Sequence, residues 1–235
     1  LRVPKRATRA EVEAVFKNAG LEVAELEMMI CRFTFYNDCF CVVKLANEQQ
    51  AERAVQLLNG NMSLGAPIIT RPLDPGFVWG TRRTVEGVVG RHVFYDDDGI
   101  TTAINPILEG RRIQLRVKTP GWGETTVSNR IRESREVIKR HFSKFGLESI
   151  GAIAPNYGDM KLHPRFLTFM DFTTKEGAEE AQRTMHDTEI EGRKVWLMDC
   201  DITPWKAYQI GRVDARRLAD LQEKGLAPTE IDEEK

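Results

Sequence analysis

Two stretches of this chain share one pattern, and that repeat constrains the fold more than any other feature. Asp38-Cys39-Phe40-Cys41-Val42-Val43-Lys44-Leu45 and Arg165-Phe166-Leu167-Thr168-Phe169-Met170-Asp171-Phe172 are short apolar and aromatic runs, each followed at once by an Ala-rich amphipathic segment. Side chains on a strand alternate between faces, so each run reads as a strand and each segment after it as a helix. The surroundings repeat too. In the first copy Leu1-Arg2-Val3 reads as a strand, and Thr8 with Glu11 three residues on makes a capping box. Val12, Val15, Phe16 and Ala19 form a helical stripe that Gly20 ends. A strand is expected within 21–30, a turn within 31–38, and a helix over 47–59 with Ala51, Ala54, Val55 and Leu58 inward. Asn59-Gly60 closes that helix, and 66–73 returns as a last strand.

The second copy runs in the same order. Leu115-Arg116-Val117 echoes Leu1-Arg2-Val3, and a helix over 128–145 carries Ile131, Val137, Ile138, Phe142 and Phe145. Strands follow within 147–154 and 167–172, a helix over 174–186 with Ala178, Ala181 and Met185 inward, and a last strand over 194–200. The expected fold class is α+β: two ferredoxin-like β-α-β-β-α-β domains over 1–73 and 112–203. Residues 74–111 are too long for a structureless loop. There 88–95 and 100–104, flanking Asp96-Asp97-Asp98-Gly99, read as a hairpin. A helix is expected over 204–226, with Tyr208, Val213, Leu218 and Leu221 available for packing, and a disordered acidic tail over 227–235.

Both octamers resemble the ribonucleoprotein octamer on the third strand of an RNA recognition motif. In that family, octamer positions three and five and the second residue of the first strand present rings on which bases stack. The resemblance places RNA contacts at Arg2, Phe40 and Val42 in the first domain and at Arg116, Leu167 and Phe169 in the second. Position one, a phosphate-binding base in the family, is Asp38 in the first copy and Arg165 in the second. Each platform keeps one aromatic of three. Stacking contributes roughly 1–3 kcal/mol per base, so two lost rings weaken a face by on the order of a hundredfold or more. The two arginines compensate in part, since a guanidinium stacks on bases and meets phosphate. The second domain is thus the expected RNA contact. The first also resembles, through Cys39 to Val43, Asp74-Pro75-Gly76-Phe77 and Gly80-Thr81-Arg82, the small subunit of the nuclear cap-binding complex. The tyrosines that would sandwich a cap are absent from Leu1-Arg2-Val3-Pro4-Lys5-Arg6, and Trp79 reads as a packing residue first and a base-stacking one second.

Basic residues crowd the second domain's first helix, where Arg130, Arg135, Lys139 and Arg140 are candidate phosphate contacts alongside Arg132 and Lys144. Arg212, Arg216 and Arg217 extend the set. A solvated helix face accounts for the same charges. The formal charge of -1 and pI near 6.5 argue against a strongly basic nucleic-acid module. No phosphate-binding loop, nucleophile elbow or zinc-protease signature is present, so no catalytic residue, metal or cofactor is expected. Cys31, Cys39, Cys41 and Cys200 lack metal-ligand spacing and read as small strand residues in a reducing compartment. No run is long and apolar enough to span a membrane.

The chain starts at Leu1 without Met and reads as a fragment or processed product. Two functions stay open. One is a non-catalytic binder of single-stranded RNA within an RNA–protein complex, its contact mainly in the second domain. The other is a scaffold whose sheets are covered by protein: the 204–226 helix, the linker aromatics Phe77, Trp79, Phe94 and Tyr95, or partners. Cap recognition by the first domain is a lesser alternative. The resemblance implies an intracellular protein, nuclear first, then mitochondrial or cytoplasmic.

Overall fold

The computed structural model describes residues 1–74, 76–79, 90–118, 121–122, 127–156 and 165–231. In the first domain Thr8 caps α1 (Arg9–Asn18): its hydroxyl accepts from Glu11 N at 3.2 Å, and the Glu11 carboxylate accepts from Thr8 N at 2.7 Å. β1 (Val23–Cys31) and β2 (Asn37–Leu45) pair antiparallel, and Asn47 caps α2 (Glu48–Leu58). The strands expected at 1–3 and 66–73 shrink to single bridges, with Arg2 joined to Phe40 on one side and Ile69 on the other. Pro67 has no N–H to give a ladder. Ile68 bonds backward instead, accepting from Gly60 N at 2.7 Å and donating to Asn61 O at 2.9 Å. The order across this sheet is therefore Ile69, Arg2, β2, β1.

The expected hairpin after residue 88 is not formed. Residues 88 and 89 lie outside the described residues. β3 (His92–Phe94) adds to the free edge of β1, and a helix, α3 (Asp97–Leu108), follows. Asp96 acts as an N-cap, accepting from Gly99 N at 2.9 Å, and Asp97 and Asp98 complement the helix dipole in the first turn. Gly99 fits because a Cβ there would stand 1.8 Å from Phe94 O. Ile100, Ala103, Ile104 and Ile107 are the apolar stripe that marks this helix. Pro106 lies inside it and cannot donate to Thr102 O. Arg32 Nη2 takes that carbonyl at 3.2 Å.

The second domain has the expected order: β4 (Arg112–Lys118), α4 (Val127–Phe142), β5 (Leu147–Ile150), β6 (Ala154–Asn156), β7 (Arg165–Phe172), α5 (Lys175–Met185), β8 (Glu189–Ile190) and β9 (Arg193–Asp199). The sheet runs β5-β7-β4-β9-β8, with β6 also on β7. Ile113, Leu115 and Val117 point into its core with Phe166, Met170, Val195, Leu197, Ile138 and Phe142.

The C-terminal segment is two helices, not one. Asp214 is extended at φ -153 and caps the second with bonds from Arg216 N and Arg217 N, separating α6 (Pro204–Val213) from α7 (Ala215–Glu223). Both pack on the first domain rather than over the second sheet. Ala207, Ile210, Leu218 and Leu221 join Phe16, Met28, Ile30, Leu58, Ala103 and Ile104 in one core. Arg217 ties α7 to α3 through Asn105 Oδ1 at 2.8 Å and Thr101 Oγ1 at 3.2 Å, so it serves the fold and not a phosphate. Ala227, expected to start a disordered tail, is buried in that same core. Tyr95 is there too, so it is no sheet cover.

Candidate nucleic-acid interface

Strand alternation assigns the outer face of the second sheet. β4 sends Arg112, Gln114 and Arg116 to it, and registration sets Asp171 beside Arg112, Phe169 and Met198 beside Gln114, and Leu167 and Trp196 beside Arg116. Arg165 opens β7 opposite Lys118. The face is divided between two environments. At the Arg116 end Leu167 and Trp196 are half-buried and Met198 is exposed. Arg116 Nε donates to Gln114 Oε1 at 2.6 Å, and Lys194 Nζ lies 5.8 Å from the Trp196 ring centre. Trp196 is not one of the three family positions. The alternation of Lys194, Trp196 and Met198 with Val195 and Leu197 is the sequence signal that places it there.

The Asp171 end is closed by the turn between β1 and β2. Phe33, 3 % exposed, lies parallel to Phe169 with centroids 6.5 Å apart and planes 14° off. Gly151 makes room: a Cβ there would be 3.4 Å from Phe33 Cγ and 3.3 Å from the Phe169 backbone. The Arg112 guanidinium sits 4.6 Å from the Phe33 ring centre. It bonds Asp171 in fork geometry, Nε to Oδ1 at 2.6 Å and Nη2 to Oδ2 at 2.8 Å, and reaches Arg32 O at 3.0 Å across the domain boundary. Arg32 Nε lies 2.9 Å from Asp171 Oδ2, within ion-pair range but not aligned for a hydrogen bond, and Arg32 Nη2 donates to Glu148 Oε1 at 2.9 Å. Burial lowers the affinity of Arg112 for its proton, and Asp171 more than offsets this, leaving its pKa above the ordinary value. The expected stacking ring Phe169 is thus part of a domain interface.

Lys206 of α6 enters the same seam and donates to Phe33 O at 2.6 Å. Burial, then the nearby Arg112, lower its pKa from 10.5 to about 8. The unfolded chain holds this proton up to the higher value and the folded chain only to the lower. Its stability penalty is therefore complete below pH 8 and is relieved as pH rises toward 10.5. Burial raises Cys200 from 9.0 to about 11, which lowers stability above pH 9, so pH 8 to 9 is the cleanest window. Over that unit Lys206 should contribute about 1 kcal/mol. Denaturant midpoints at the two pH values should show the gain, and Lys206→Met should remove it.

In the first domain Arg2 is exposed and Phe40 is half-buried beside it, but Val42 is only 3 % exposed and offers a base no open surface. The Asp38 carboxylate lies 3.0 Å from His92 Nε2. Asp74 folds its own turn, accepting from Gly76 N at 2.7 Å and Phe77 N at 2.9 Å, and Phe77 meets Trp79 edge-on at 5.5 Å. Pro75 and Gly80-Thr81-Arg82 lie outside the described residues. On α4, Arg130 is in the first turn and Arg135 is half-buried, while Lys139 pairs with Glu136 at 3.0 Å and Arg140 with Glu191 at 3.2 Å. The sequence signal for phosphate there is thus partly answered by acids on the protein itself.

Among the described residues no group of three or more His, Cys, Asp or Glu side chains could hold a metal ion, and no helix is long and apolar enough to cross a membrane. The family model described as RNA recognition motif matches residues 2–68 and 134–196, more than half of the chain. The chain belongs to the RNA recognition motif family. Its two RNA recognition motifs are the two domains described above. Among solved structures it is similar to the N-terminal three RNA binding domains of the yeast splicing factor Prp24, at 15% identity, 86% of this chain, 98% of that one and a TM-score of 0.28. RNA recognition domains 1 and 2 of Sex-lethal from Drosophila melanogaster match at 17% identity, 84% of this chain, 96% of that one and a TM-score of 0.26. The first two RRM domains of the yeast poly(U) binding protein Pub1 match at 16% identity, 84% of this chain, 94% of that one and a TM-score of 0.26. No curated protein matches the chain.

Proposed function

We propose that this chain is a non-catalytic RNA-binding protein working as a subunit of an RNA–protein complex, with RNA contact mainly through the second domain. The observation that carries this reading is the Arg116 end of the second sheet, where Leu167 and Trp196 are half-buried and Met198 is exposed. There one row combines a guanidinium, an aliphatic and an indole, Arg116, Leu167 and Trp196, in a fold whose outer face is the usual seat of bases. Phe169 takes no direct part in this row: its ring is half-buried and packs against Phe33. Both domains are presented as one body through the buried Arg32, Arg112 and Asp171 cluster.

The test is a titration with short mixed-sequence single-stranded RNA at two salt concentrations. Trp196→Ala should weaken binding roughly five- to 150-fold, the range of about 1–3 kcal/mol per stacked base. Arg116→Ala should also weaken it and reduce the salt slope. Phe169→Ala should change affinity little. The covered Phe169 and the closed Val42 favour a second reading, a scaffold whose sheets serve protein contacts. Absence of binding at both salts would select it.

A further inference from the structure

A second cluster of rings and cations lies beside the first octamer, where the first domain meets α6. Trp205 Nε1 donates to Tyr36 Oη at 3.0 Å, and the Trp205 and Tyr208 rings lie 5.4 Å apart. Arg6 sits 4.6 Å from the centre of the Trp205 ring, and Lys5 Nζ 4.9 Å from that of Tyr36. Both cations are exposed and all three rings are half-buried. A cavity of about 330 Å³ adjoins the cluster, sharing Arg6 with it and walled by Pro4, Val15, Leu64 and Arg212. Its one acid, Glu11, is paired with Arg212 at 2.7 Å.

We infer that this surface is a second binding site for single-stranded RNA, taking two or so nucleotides with little base preference. This rests on the RNA-binding function proposed above. Cations interleaved with rings are what a single strand requires, phosphates on the one and base faces on the other. Lys5 and Arg6 now lie over the rings. A phosphate that draws them aside leaves an aromatic face for a base, and the cavity, at the small end of ligand sites, accepts one nucleoside. The indole N–H is already engaged by Tyr36 Oη, so the ring faces carry most of the recognition and base discrimination is weak. The site also continues a track. Arg2 is bridged to Phe40, and further along the same pair of segments Lys5 O accepts from Asn37 N at 3.1 Å, next to Tyr36. A strand leaving Phe40 and Arg2 thus meets Lys5 and Tyr36 next. Asp38, the acid between, is held by His92.

The experiment compares a mixed-sequence RNA dodecamer with a tetramer on the full chain and on Lys5→Glu/Arg6→Glu, with Lys5→Ala/Arg6→Ala as the milder pair and Arg116→Ala as the control. Either double variant should weaken the dodecamer about tenfold and lower its salt slope by roughly 1.4, two phosphates on a single strand. The tetramer, seated on the second sheet, should bind both variants as it binds the wild type. A 4-thiouridine dodecamer should crosslink to the peptide carrying Tyr36 or that carrying Trp205. Dodecamer binding that drops in Arg116→Ala but ignores both double variants, with no such crosslink, overturns this site and leaves the proposed function standing. No binding of either RNA to the wild type overturns both. A polyglutamate peptide that displaces the crosslinked dodecamer as well as unlabelled RNA does would also overturn it, assigning the surface to an acidic protein.

Discussion

Asp171→Ala is expected to cost about 3–5 kcal/mol of folding stability, the range for removing one partner of a buried ion pair. The carboxylate is fully buried and is the acid shared by Arg112 and Arg32, whose side chains are 2 % and 3 % exposed. Without it two guanidinium groups stay desolvated at the domain boundary. Glu148, already engaged with Arg32 and Arg111, reaches only the outer part of the cluster. For a chain of this size the loss corresponds to a fall in Tm of roughly 6–20 °C. Asp171→Leu combined with Arg112→Met should recover part of it, because only Arg32 then stays charged in the cluster and it keeps Glu148 at 2.9 Å. Denaturant unfolding of the three variants decides the matter. A cost under about 1 kcal/mol for Asp171→Ala would mean that the cluster is hydrated and does not hold the domains together.

Phe33→Ala should act on stability and on binding in opposite directions. The ring is packed against Phe169, Gly151 and Arg112, and truncating a buried phenylalanine costs about 3–5 kcal/mol. The same change uncovers Phe169. If that ring is a latent platform, single-stranded RNA should bind the variant tighter by about 1–3 kcal/mol, roughly five- to 150-fold. Phe33→Ala/Phe169→Ala should return affinity to the wild-type value. The Lys206 bond to Phe33 uses the backbone oxygen, so it survives the substitution. Equal RNA affinity in Phe33→Ala and wild type would show that Phe169 serves the domain interface alone.

Much of the fold was legible because its rules are local. Thr8 and Glu11 announce a capping box within four residues, and the two octamers announce a strand by alternation. The helix at Asp97–Leu108 was legible as well, in Ile100, Ala103, Ile104 and Ile107, but the Asp-Gly pair in its first turn supports a hairpin as readily as a helix start. Trp196 could be placed by the alternation of β9 without any structure. The positions of Phe169 and Asp171 on the outer face followed from the octamer pattern; their covering did not.

Two β-α-β-β-α-β domains, and the side chains each sheet turns outward, follow from the chain alone, since both depend on period and on spacing within a few residues. Which of those faces another segment covers depends on how the finished domains pack. Phe33 and Arg32 sit in a short turn of the first domain, and nothing near them in the chain signals the second sheet. Their contacts with Phe169 and Asp171 arise because α3 and β3 set the two domains against each other and α6 returns to the first core. Closure of a face is the matching of two surfaces built from distant segments, and such a match has no periodicity for a sequence to display.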